Sequence, residues 1–297
     1  MQDSVAPPGL FVDVRPAHDE AGHPIETDNP RLVFVHGAMD RSTSFARLRR
    51  CFPDFTTVAY DRRGYAKSLD VPAATSFAEH VKDLEEILDQ LATETIGGTN
   101  PAVLVGHSYG GVVALAIAAN RPELVRALVV FEAPMPWTDW WPGSAGGSTI
   151  AAGAAGGPEA AAESFMRRIV GDEIWERLGD KTRSERRAEG SALLQDLGGL
   201  REGGSPYDVN RIICPIVAGH GEKSHAHQQR SSRELHANLV AAHPSLAAQF
   251  VLTVMPGASH GAHSSAAPEF AELVRHAISL SPFAPEIPAV VRKIETT

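Results

Sequence analysis

One residue in the stretch "AVLVGHSYGGVVALAIAAN" has the chemistry of a nucleophile. It is Ser108, held between Gly106 and Gly110 where an apolar run that reads as a strand gives way to one that reads as a helix. A Gly-x-Ser-x-Gly at such a junction makes a sharp turn. The turn lifts the serine hydroxyl out of the sheet and aims the next backbone N–H, that of Tyr109, at the same point. A serine attacks carbon poorly until a base takes its proton, and the base needs a third group to orient it. The expected chain order for this turn is serine, acid, histidine. His260 in "MPGASHGAHSS" meets the demand for a late base, because it follows an apolar run through a Pro-Gly turn. His263 reads as a capping or packing residue, and His36, His107 and His276 read as structural. The remaining requirement is a trap for the negative charge that develops on a carbonyl oxygen. His36-Gly37-Ala38-Met39 follows another strand-like run, and a backbone N–H there, Ala38 first and Met39 second, can join that of Tyr109.

These side chains lie far apart along the chain, so the elements between them must bring them together. Short β-rich runs occur at 31–35, 55–60, 102–106, 125–132, 213–219 and 248–255. Helical patterns fall between them. Residues 77–92 carry Phe77, Val81, Leu84, Ile87, Leu88 and Leu91 on one stripe, while 109–120 is apolar nearly all round. Further helices are expected at 232–242 and 268–279. Strands alternating with helices define an α/β fold with a mostly parallel sheet covered on both faces. The rhythm breaks between about Pro134 and Pro206, where all four tryptophans fall. A flexible linker has no need of tryptophan, so this region reads as a helical lid with a mobile Gly/Ala-rich entrance, "SAGGSTIAAGAAGG". The expected division is a core of 1–133 with 207–297, and a lid of 134–206. The tail "PEIPAVVRKIETT" is expected to be peripheral.

The bulk numbers narrow the choice of partner. The 297 residues are 43% hydrophobic and 21% charged, with a net charge of −9. That balance disfavours nucleic acid and anionic membranes as partners. The opening "MQDSVAPPGLFVDVRP" lacks the features of a secretory signal, so the cytoplasm is the expected compartment. Cys51 and Cys214 suggest no disulfide framework. His225 and His227 form a His-x-His, but no third ligand accompanies them in sequence, and no metal or organic cofactor is expected.

At this point "VFVHGAMD", "YDRRGYAKS", "VLVGHSYGG" and "MPGASHGAH", in this order, resemble the α/β-hydrolase superfamily over residues 10 to 280. The resemblance implies the α/β-hydrolase fold and a nucleophilic mechanism, with structural roles for Asp61 and Arg62. It also implies an aspartate after the strand that follows the lid, where this chain has Ser224 in "GHGEKSHAHQQ". Glu132, at the end of "VRALVVFE", is the replacement acid, since the strands flanking the lid are neighbours in this fold. Some haloalkane dehalogenases are similar in placing a glutamate there, but they use an aspartate nucleophile. Glu222, or a dyad with no acid, is the alternative.

The expectation is therefore a serine esterase or lactonase acting through an acyl-enzyme. Ser108, His260 and Glu132 would be catalytic, Ala38 and Tyr109 would form the oxyanion hole, and Met39, Trp137, Trp140 and Trp141 would contact a small to medium apolar substrate. A monomer or homodimer is expected. Hydrolysis of C–C or amide bonds, acyl transfer and cofactor-free perhydrolysis use the same residues, and a slow ligand receptor on the same fold is the non-enzymatic alternative.

Overall fold

The computed structural model describes residues 9–93 and 100–281. The tail that was expected to be peripheral lies outside them. Seven strands form one sheet: β1 (Val12–Arg15), β2 (Leu32–Val35), β3 (Thr57–Tyr60), β4 (Ala102–His107), β5 (Val125–Phe131), β6 (Ile216–Gly221) and β7 (Phe250–Met255). Their order across the sheet is β1-β3-β2-β4-β5-β6-β7. The pair β1–β3 is antiparallel and every other pair is parallel.

Alternation along the strands sorts their side chains between two cores, as a period of two requires. Val33, Val35, Leu104, Leu128 and Val130 face one core with the helices Phe77–Thr93, Tyr109–Asn120 and Ala226–Ala242. Leu32, Phe34, Val103, Val105, Val129 and Phe131 face the other, which is covered by Ala267–Ser279 and the one-turn helix Ala46–Arg49. The central helix Tyr109–Asn120 is buried at every residue except Asn120, which is why its sequence shows no polar face.

Two expectations are corrected here. Edge strand β1 was absent from the sequence reading: Val-Asp-Val-Arg is short, and it pairs along one side only. The Gly/Ala-rich stretch read as a loose entrance is helical, inside Ser144–Val170, with non-helical backbone at Ala145, Gly146 and Gly157 before Pro158. Its small residues permit close packing, since a Cβ on Gly153 would meet Leu194 at 2.8 Å. Further helices at Asp172–Arg177, Asp180–Ala188 and Gly190–Gly199 complete the insertion between β5 and β6. A third apolar cluster, with Met39 and Tyr65 from the core and Met166, Trp175 and Leu193 from the insertion, joins the two parts.

Candidate active site

Because β2, β4, β5, β6 and β7 run parallel, their carboxyl ends share one edge, and the segments that leave them meet there. The first segment is the turn at Ser108, which adopts φ 51° and ψ −123°. Its N–H still continues the ladder by donating to the Phe131 carbonyl at 2.9 Å. Gly110 makes this geometry possible, because a Cβ on it would sit 2.1 Å from the Val35 carbonyl oxygen. Gly37 lies so close to the turn that a Cβ there would come within 3.0 Å of Ser108 Cβ. The loop 36–39 thus abuts the serine. Neither the Ala38 nor the Tyr109 N–H donates to a protein acceptor among the described residues. Tyr109 also opens a helix, whose positive end favours negative charge at this point.

Glu132 leaves β5 with φ 53°, a second strained non-glycine backbone at the same edge. Its N–H donates to the Gly219 carbonyl at 3.1 Å. The carboxylate is buried and accepts the Gly221 N–H at 2.8 Å through Oε1 and His260 Nδ1 at 2.6 Å through Oε2. Burial alone would raise its pKa. The His260 contact, with help from Ser224 and the Gly221 N–H, outweighs burial, and the net shift is downward. The Ser224 hydroxyl is buried beside this carboxylate but lies outside strict hydrogen-bond geometry. Glu222 is exposed, and its carboxylate accepts the Gly257 N–H at 2.7 Å.

His260 follows β7 and is held from behind. His107 Nε2 donates to the His260 carbonyl at 2.8 Å, and the His107 ring packs 4.0 Å from that of His263, centroid to centroid. Burial, reinforced by the neighbouring histidines, pushes the His107 pKa well down and keeps it neutral. His263 Nε2 lies 3.2 Å from Asp40. Asp40, His107 and His263 bring three possible ligand atoms within 4.8 Å of one another, so this cluster could hold a cation, although nothing in the spacing of these residues indicated it.

A cavity of about 530 Å³ is lined by Ser108, Glu132, His260, Ala38 and Tyr109. Among the described residues no hydrogen bond joins Ser108 to His260, although both line this cavity. Of the expected substrate contacts, Trp141 lines this cavity, and three others are placed elsewhere. Trp137 packs edge-on against Tyr207, with ring centroids 5.9 Å apart, beside a separate depression. Trp140 stacks under the Arg230 guanidinium at 4.4 Å. Met39 is buried in the cluster that ties the insertion to the core. The cavity also takes His225, His227, Arg168 and Arg201, none of which the sequence reading placed there.

Arg62 and Asp61 brace the loop from below. Asp61 accepts the Ser42 N–H at 2.7 Å and the Lys67 N–H at 3.1 Å. Fully buried Arg62 donates to the carbonyls of His36 and Gly37, both at 3.1 Å, and pairs with Asp196 of the insertion at 2.7 Å. His80 Nε2 and the Tyr65 hydroxyl complete the shell around Asp196 at 3.0 and 2.7 Å.

A mostly parallel sheet of this strand order, with a strained serine after its central strand and a carboxylate–imidazole pair beside it, defines a class of hydrolases. The profile of the alpha/beta hydrolase family matches residues 32–273, and the chain belongs to that family. It is similar to the sn-1-specific diacylglycerol lipase ABHD11 of Mus musculus, 37% identical over 127 residues, which are 41% of this chain and 38% of that one. It is also similar to Epoxide hydrolase 4 of Mus musculus, 33% identical over 115 residues, 37% of this chain and 30% of the other. The matches thus span less than half the length of these relatives. Among solved structures, the enol-lactonase from Burkholderia xenovorans LB400 superposes with a TM-score of 0.66 at 17% identity, covering 93% of this chain and 99% of that one. Among the described residues no helix is long and apolar enough to cross a membrane.

Proposed function

We propose that the protein hydrolyses carboxylic esters or lactones of small to medium size through an acyl-enzyme on Ser108. The observation that carries this reading is the 2.6 Å contact between His260 Nδ1 and buried Glu132 at the rim of the cavity that Ser108 lines. With Nδ1–H donated to the carboxylate, Nε2 carries the lone pair, which is the tautomer a general base needs. Ser108 Oγ bonds to the carbonyl carbon as its proton passes to Nε2. The Ala38 and Tyr109 N–H groups receive the oxyanion, and the proton goes on to the leaving alcohol. Water then repeats the sequence and frees the acid. The residues 134–206 act as a lid over this chemistry, with Trp141 as an apolar wall.

Epoxide opening and dehalogenation begin with attack by a carboxylate at the position of Ser108, so the serine argues against them even though one relative bears an epoxide hydrolase name. In the test, Ser108→Ala should abolish turnover of p-nitrophenyl acetate and butyrate by the wild-type protein. Turnover by Ser108→Ala at the wild-type rate would refute the nucleophile. Tight ligand binding with about one turnover per protein would favour a receptor instead.

A further inference from the structure

We infer that the substrate carries a carboxylate in addition to its scissile bond, and that Arg168 and Arg201 bind it. This inference rests on the ester-hydrolase reading above. Arg168 lies near the end of the helix Ser144–Val170, and Arg201 follows the helix Gly190–Gly199; both line the cavity that holds Ser108. Neither has a carboxylate partner among the described residues, in a chain with 36 acidic residues against 27 lysines and arginines. Their neighbours are paired: Arg167 and Arg187 both reach Glu163, at 2.8 and 2.6 Å. Arg201 spends one nitrogen on the Ala145 carbonyl at 2.6 Å, while its Nε is buried without a partner. Among the described residues Arg168 has a cation–π contact, its guanidinium 5.1 Å from the Phe165 ring centroid, and no ion pair.

The acids that reach the cavity are already engaged. Glu132 serves His260 and Gly221, and Asp196 is paired with Arg62. The charge that remains on the wall is positive, and His225 and His227 line the same cavity as further hydrogen-bonding groups. Burial, His225, His260 and Arg168 together lower the His227 pKa. Arg201 is half-buried with its Nε unpartnered, while Arg168 is exposed at the rim, and a ligand carboxylate can match a planar guanidinium fork with two parallel hydrogen bonds. The volume of about 530 Å³ suits a small half-ester or an acid-bearing lactone.

The experiment compares kcat/KM for monomethyl glutarate and for methyl 5-amino-5-oxopentanoate, its near-isosteric neutral amide. Wild-type protein should prefer the half-ester at least tenfold. Arg168→Gln and Arg201→Gln should each lower that preference by roughly 10- to 100-fold, the range of a charge-assisted contact. Arg168→Lys should keep part of it. A wild-type ratio near one, or a ratio that Arg168→Gln does not move, overturns the inference. Calorimetric titration of Ser108→Ala with monomethyl glutarate separates the two readings. Binding by this variant that needs Arg168, with no turnover of either ester by wild type, upholds the anion site and sinks the nucleophile. Equal turnover of both esters does the reverse.

Discussion

The acid at position 132 is a side chain in an unusual backbone. Four non-glycine residues among those described have positive φ, and two of them, Ser108 and Glu132, face the same cavity from adjacent strands. Such strain persists only where surrounding bonds hold it, and here the N–H of each residue is tied to the next strand. The downward pKa shift of Glu132 means that its charge persists to lower pH than that of a free glutamate. By linkage its contribution to stability is fully present above its unfolded value, near 4.5, and is lost as pH falls through the lower folded value. Glu132→Gln keeps the shape and removes the charge that supports a protonated His260. Its kcat should fall steeply, by up to ~10⁴ as in other such arrangements. Glu222→Gln, at an exposed turn, should retain nearly the wild-type rate. Steady-state kinetics on one ester decides between them, and the opposite ranking would move the acid to Glu222.

At the scale of elements, the insertion is held to the loop that carries Ala38 by a buried ion pair. For Arg62, burial alone would lower the pKa and Asp196 more than reverses it; for Asp196, burial would raise the pKa and Arg62 outweighs it. Breaking such a pair from one side leaves a buried charge uncompensated. Asp196→Asn should therefore lose about 3–5 kcal/mol of unfolding free energy in urea. A loss below about 1 kcal/mol would show that the pair matters little. The folded Asp196 pKa lies below its ordinary value of 3.8, so the difference between wild type and variant should hold above that pH and shrink only as pH falls beneath it. The resemblance to the family implied a structural role for Arg62, but its partner Asp196 was not legible in sequence, because the two sit on separate elements with no periodic relation. The five inner strands were legible because both of their faces are buried and their runs are almost wholly apolar, and edge strand β7 was legible through its apolar run. Edge strand β1 has a charge at every second residue and one exposed position, and the Gly/Ala helix forms despite its glycines, with close contacts such as Gly153 on Leu194.

The whole molecule is a site built between two bodies of chain. In the proposed mechanism the sheet contributes the groups that attack, shuttle and stabilise: Ser108 after β4, Glu132 after β5, His260 after β7 and Ala38 after β2. The insertion contributes the wall and the arginines that face them. Ser108, His260 and Glu132 could be nominated from sequence because this fold places strand ends predictably. The wall could not, because the helices of the insertion follow no such rule, and Trp137 and Trp140 turned to other partners. Among the described residues Arg168 and Arg201 reach the cavity without a carboxylate partner, and the selectivity for anions proposed above is one that a net charge of −9 would conceal.

The most direct measurement is the intact mass and peptide map of the protein after brief exposure to a fluorophosphonate. One adduct per chain, on the peptide that contains Ser108 and much slower in His260→Ala, is the predicted result. A protein that stays unlabelled, or that is labelled at the same rate when His260 is removed, would contradict it.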